Sequence, residues 1–197
     1  MFNEDTRYFP QRSISTTFKT ISERVIKIYE RLSKGIGLIP RTLAFVFDRE
    51  NRTETQISDL ERRLRGNRVR CLKRTMIENY FLNAEAILSV LVQCGVPADN
   101  HVSIEQISAW LNKRLEGKDL ESPQVKRYFN KVPLNKRGID TVHGGHLLED
   151  LFSNFSGKTV PYDKPRHGLK LTEWLIEHNP QALGEVKDLL AQIFPNE

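Results

Sequence analysis

Asp48 and Glu50 stand two residues apart, directly after the apolar run Leu43–Phe47 in the stretch TLAFVFDREN. If strand geometry continues past that run, both carboxylates leave the chain on the same side. Such a pair suits a hard divalent cation, because Mg²⁺ takes oxygen ligands and needs few of them from the protein. Residues just beyond the C-terminal ends of strands are also where open α/β sheets bind their ligands. Solvated loops after ordinary strands carry the same spacing, so the pair alone leaves two readings open.

Two further constellations lie close in sequence. Glu78 and Asn79 are set between Ile77 and Tyr80-Phe81-Leu82, an apolar setting in which a carboxylate needs a partner, a proton or a metal. Arg74 is one candidate partner; a supporting role beside Asp48 and Glu50 is the other reading. The run RRLRGNRVRCLKR, residues 62–74, holds Arg62, Arg63, Arg65, Arg68, Arg70, Lys73 and Arg74 with no acidic residue. A charge run can be plain solvated surface. Beside a carboxylate site it is also the lane a phosphodiester backbone would want.

Two motifs do less than they suggest. SGKTV, residues 156–160, contains Gly-Lys-Thr, but Phe152 occupies the place of the first glycine of a phosphate loop and Pro161 blocks a following helix. HGGH, residues 143–146, lacks nearby soft or imidazole ligands for zinc, and His146 reads as the start of a helix containing Leu147, Leu148 and Leu151.

The elements that must position these residues follow from apolar spacing and punctuation. Phe18, Ile21, Val25, Ile28 and Leu32 predict a helix from about Ser15 that stops at Gly35. A strand is expected at 42–47, a helix from about Thr53 to Leu64, and a second strand at 69–72. That order implies parallel pairing and an α/β region. Beyond it the chain is helical: 83–95 opens on Asn83 and closes at Gly95, 103–117 carries a capping box of Ser103 with Gln106, and Pro123 sits at a first helical position after Ser122. KVPLNKRGID is a loop, and three more helical segments follow. The division expected is residues 1–82 as a partial α/β region and 83–197 as a helical region.

Composition fits a soluble globular chain of 197 residues, 39% hydrophobic and 28% charged, with a net charge of +5. A pI near 9.2 accommodates a polyanionic partner without requiring one. Cys71 and Cys94 read as free buried thiols of a reducing compartment. No stretch reaches the ~18 apolar residues of a membrane span, and the polar N-terminus has no signal-peptide core. A cytoplasmic protein without a membrane partner is expected.

FVFDREN, a helix, then CLKRTMIENYFLNAEAI, and further on LLEDLF and YDKPRHGLKLTEWL, resemble the C-terminal part of a Toprim domain. The resemblance is to the version fused to ATPases in the OLD (overcoming lysogenization defect) family of bacterial nucleases. It covers residues 42–90 and, more loosely, 143–190. It implies a Toprim-like parallel sheet, with Asp48 and Glu50 holding Mg²⁺ or Mn²⁺ and Glu78 as the acid of the second segment. Glu50 stands where the family has Asp. Lys164 matches the downstream lysine, which would neutralise charge on phosphate. The family's first catalytic strand and its acidic residue have no counterpart here. The resemblance therefore implies a metal-dependent nuclease module, incomplete by itself, acting on nucleic acid and with an ATPase or Toprim-containing partner. Phage defence is the family's setting. The competing reading is a non-catalytic remnant that binds nucleic acid or complements such a partner.

Overall fold

The computed structural model describes residues 45–50, 52–63, 69–98, 101–116, 123–130 and 132–193. All lie in one compact unit, Ala44–Glu197. The helix expected between Ser15 and Gly35, strand residues 42–44, and Arg65, Arg68 and Ser122 fall outside the described residues.

Strands β1 (Phe45–Phe47) and β2 (Val69–Cys71) pair in parallel, with Phe45 opposite Val69 and Phe47 opposite Cys71. The pairing continues as the Leu72 N–H donates to the Phe47 C=O at 2.9 Å. Parallel strands need a crossover, and helix α1 (Glu54–Arg63) lies within it. Thr53 caps α1 reciprocally: its hydroxyl accepts from the Gln56 N–H, and its own N–H donates to the Gln56 side chain.

Past β2 the chain tightens into a 3₁₀ turn, Ile77–Phe81, where periodicity marks no element. The remainder is helical: α2 (Ala84–Gln93), α3 (Ile104–Leu115), α4 (Pro123–Tyr128), α5 (Gly144–Phe155), α6 (Lys164–His178) and α7 (Gly184–Ile193). Short 3₁₀ turns occupy Leu134–Lys136 and Pro180–Leu183. The fold is thus mixed α/β, mostly helical, with a small two-stranded parallel sheet.

Caps set the helix ends. Asn83 accepts from the Ala86 N–H and Ser103 from the Gln106 N–H, as their positions predict. The Ser103 hydroxyl donates to the Glu105 carboxylate, a local turn the capping-box spacing does not foretell. Helix α2 closes through Gly95, whose φ of +89° places it in the region glycine adopts without a Cβ penalty. The core is made where helices turn one face inward. Ile87, Val90 and Leu91 of α2, Leu147, Leu148, Leu151 and Phe152 of α5, and Leu171 and Leu175 of α6 are fully buried. Among the described residues no helix is long and apolar enough to cross a membrane. Cys71 and Cys94 are free and half-buried rather than fully enclosed.

Candidate functional site

The turn Ile77–Phe81 is fixed from three directions. The Asp48 Oδ1 accepts the Ile77 N–H at 3.0 Å, so the residue at the tip of β1 caps the turn that carries Glu78. The buried Asn79 carboxamide donates to the carbonyls of Ile139 and Val142. Gly144, the first residue of α5, presses against the turn so closely that a Cβ there would lie 2.8 Å from the Asn79 backbone nitrogen.

This clamp leaves Glu78 only 3% exposed. Its Oε1 meets the Lys164 Nζ at 2.7 Å, while its Oε2 is buried with no hydrogen-bond partner among the described residues. Lys164 stands at the first position of α6, set by the Asp163 cap and followed by Pro165. A cation in a helix's first turn has the wrong sign for the helix dipole, so dipole energetics do not explain its place. The N-terminus of α5 has the right sign for Glu78, and a Cβ on Gly145 would sit 3.7 Å from the Glu78 Oε1.

Glu50 occupies a left-handed conformation, φ +48°, uncommon for a residue with a side chain. Its N–H donates to the Thr75 C=O at 2.8 Å, and Thr75 in turn donates its N–H and hydroxyl to the Asp140 C=O. Arg52 donates to the Asp48 C=O at 2.6 Å and lies 3.5 Å from the Glu50 carboxylate.

Charge gathers around this arrangement. Burial pushes the Asp48 carboxyl above its usual range; the Ile77 N–H and the Lys164 ammonium pull it back, and Glu78 raises it further. Burial likewise raises Glu50, opposed by Arg52 and Lys164 and reinforced by Asp48. Asp48, Glu50, Glu78 and Lys164 are thus linked by charge, Asp48 with Glu78 and Lys164, Glu50 with Asp48 and Lys164, and Glu78 with Lys164.

Other expectations change. Arg74 does not neutralise Glu78. Its guanidinium stacks on Tyr80, donates to the Asn79 C=O and lies 3.2 Å from the Asp140 carboxylate, while the turn leaves the Glu78 carboxylate against Lys164 instead. In the basic run Arg62 pairs with Asp59 at 2.6 Å, and Lys73 lies 3.9 Å from Glu185. Part of the lane is thus offset by acids outside the run, Asp59 one helical turn back and Glu185 far along the chain. SGKTV closes a helix instead of opening one: Ser156 ends α5 and accepts the Val160 N–H on its hydroxyl.

The glycines and His143 of HGGH, and Tyr162, escape a reading based on motifs. His143 caps α5 through Nδ1, stacks on His146 at 3.8 Å between ring centres, and is held below its usual pKa by burial, against the charge of Glu78. The Tyr162 hydroxyl is buried without a partner among the described residues, and burial and the Glu78 charge raise its pKa. The signal for the first was a His at a helix start followed by two glycines; for Tyr162 there was none.

Among the described residues no three His, Cys, Asp or Glu side chains stand together as a ready-made metal-binding group. The residues nevertheless fit a largely hydrated Mg²⁺ or Mn²⁺, which needs only one or two carboxylates. The observation that bears on a cation is the buried Glu78 Oε2, which has no partner among the described residues while Lys164 satisfies only Oε1, because a buried carboxylate oxygen is costly when unpaired.

No protein-family model matches the chain, and no curated protein or solved structure matches it.

Proposed function

We propose that the chain is a Toprim-like, metal-dependent phosphodiester-hydrolysing module that needs ligands from a second polypeptide, such as an ATPase or Toprim-containing partner. The reading is carried by the gathering of Asp48, Glu50, Glu78 and Lys164 at the C-terminal edge of the parallel strand pair. Asp48 and Glu50 would hold Mg²⁺ or Mn²⁺ with Glu78 in support. When bound, the ion supplies Lewis-acid charge stabilisation at phosphate and an activated water. Lys164 would place a positive charge beside a phosphate oxygen. The basic residues of 62–74 would track a nucleic-acid backbone, loosening as salt rises. Two-metal hydrolysis requires carboxylates from several elements around paired ions about 3.5–4 Å apart. The carboxylates here fall short of that count, so little cleavage by the chain alone is expected.

One observation favours a non-catalytic nucleic-acid-binding or partner-complementing role. Asp48 already caps a turn and Glu78 already has an ammonium, so both acids have structural work. Asp48→Asn separates the roles, because an amide oxygen can still accept the Ile77 N–H but binds a divalent ion poorly. Calorimetric titration with Mn²⁺ should show weak binding in the wild type, lost in Asp48→Asn at nearly unchanged melting temperature. Wild-type chain that binds no Mn²⁺ supports the non-catalytic role. Strong cleavage by the isolated chain, lost in Asp48→Asn, removes the need for a partner.

A further inference from the structure

We propose that the Lys164 ammonium and a divalent cation compete for Glu78, so that metal binding releases Lys164 from a structural ion pair and presents it to an anionic ligand. The inference deepens the metal-binding reading of the same site and rests on it.

The ion pair is lopsided. Glu78 is 3% exposed and depends on its partner, whereas the Lys164 side chain is 58% exposed and keeps most of its water. A buried carboxylate stripped of its counter-ion is strongly destabilised, but an ammonium on a long flexible stem loses little by swinging outward. Among the described residues one Glu78 oxygen is used: Oε1 meets Lys164, and Oε2 is buried without a partner. The Tyr162 hydroxyl, also buried and without a partner among the described residues, feels the same charge. A single ammonium thus satisfies the carboxylate incompletely, while a hydrated divalent ion brings twice the charge and waters that can donate to neighbouring oxygens. The Lys164 backbone is held by the Asp163 cap and Pro165 at the start of α6, so only the side chain need move. The Lys164 ammonium stands in the field of Asp48 and Glu50, so its departure leaves the charge of this corner less compensated for an incoming ion to meet.

Two measurements test this on the full chain. The first uses the wild type: acylation of Lys164 by an N-hydroxysuccinimide ester, followed by mass spectrometry, with exposed Lys73 as internal reference. Mn²⁺ should raise the relative Lys164 rate several-fold. In Glu78→Gln the rate should be high without Mn²⁺ and unresponsive to it. The second is calorimetric titration of Lys164→Met with Mn²⁺, which should bind about tenfold more tightly than wild type. Mn²⁺ should also raise the melting temperature of Lys164→Met more than that of wild type, and adding Glu78→Gln should remove both gains. Should Lys164→Met fail to fold, the acylation result decides alone. A Lys164 rate unchanged or slowed by Mn²⁺, or a Lys164→Met affinity equal to or weaker than wild type, overturns the competition. If that happens while Asp48→Asn still abolishes Mn²⁺ binding, the metal reading stands without it. Absence of Mn²⁺ binding in wild type and Lys164→Met alike overturns both.

Discussion

A methyl group separates the fates of two adjacent glycines. At Gly144 a Cβ would meet the backbone nitrogen and the Oδ1 of Asn79 at 2.8 Å and the Glu78 carbonyl carbon at 2.9 Å. None of these can yield without moving the turn that holds the acid. Gly144→Ala should therefore cost about 3 kcal/mol, the scale of overpacking against fixed neighbours. At Gly145 the nearest atoms would be 3.5 and 3.7 Å away, ordinary contact, and alanine is the better helix former. Gly145→Ala should be close to neutral. Denaturant titration of both variants checks this, and equal losses would mean that α5 does not press on the turn. At Cys94 a tempting catalytic pair dissolves on the same scale. The Nδ1 of His167 accepts the Asp163 N–H at 2.9 Å, so the neutral ring carries its proton on Nε2, facing the Cys94 sulfur at 3.6 Å. A ring in that tautomer donates to sulfur and cannot take the thiol's proton.

Helix α6 shows how an element carries a functional group. The Asp163 side chain accepts the Arg166 N–H at 2.7 Å, while its backbone N–H goes to His167, so one residue fixes both the helix start and the ring beneath it. Asp163→Ala should lose about 1 kcal/mol, as cap removal does. It should also speed the acylation of Lys164, whose pairing depends on that start. Asp163→Asn should restore the stability, since asparagine caps equally well; a variant no more stable than Asp163→Ala would assign the loss to charge. Elements of this kind were legible from sequence. Asn83, Ser103 and Gly95 announce their helix ends locally, and the order of β1, α1 and β2 requires a crossover. The 3₁₀ turn was not legible, because five residues carry no usable period and Asp48, far back in the chain, caps it. Asp48, Glu50, Glu78 and Lys164 could be named, but Glu78 was offered Arg74 as its neighbour. Which cation a buried acid meets depends on the direction in which a turn projects it, and Gly144 and Asn79 set that direction through distant contacts.

Across the whole molecule, titration has two opposing components. Burial holds His143 and His167 below their usual value near 6.5, so the unfolded chain takes up protons first as pH falls. The stability they contribute is complete above about pH 6.5 and is lost as pH drops toward their lowered folded values. Asp48 and Glu50 are shifted the other way, above the usual 3.8 and 4.5, so their burden on the fold is present above the raised values and fades as pH falls through them. The melting temperature should therefore decline from pH 7 toward pH 5, and His167→Gln should flatten that decline without abolishing it, because His143 remains. A decline from pH 7 to 5 that His167→Gln leaves unchanged would show that the His167 ring is not held neutral by the fold.

The Asn79 tie also has a consequence in time. Its carboxamide reaches carbonyls 60 and 63 residues further along the chain. Closing a loop of that length costs about 4 kcal/mol of chain entropy before any contact repays it. The helices, built on local contacts, can form ahead of it, and the turn bearing Glu78 closes late. Asn79→Ala should accordingly hasten unfolding while leaving the refolding rate nearly unchanged, the signature of an interaction absent from the transition state. In a folding chain the acidic cluster would be among the last features to exist, and on unfolding among the first to go.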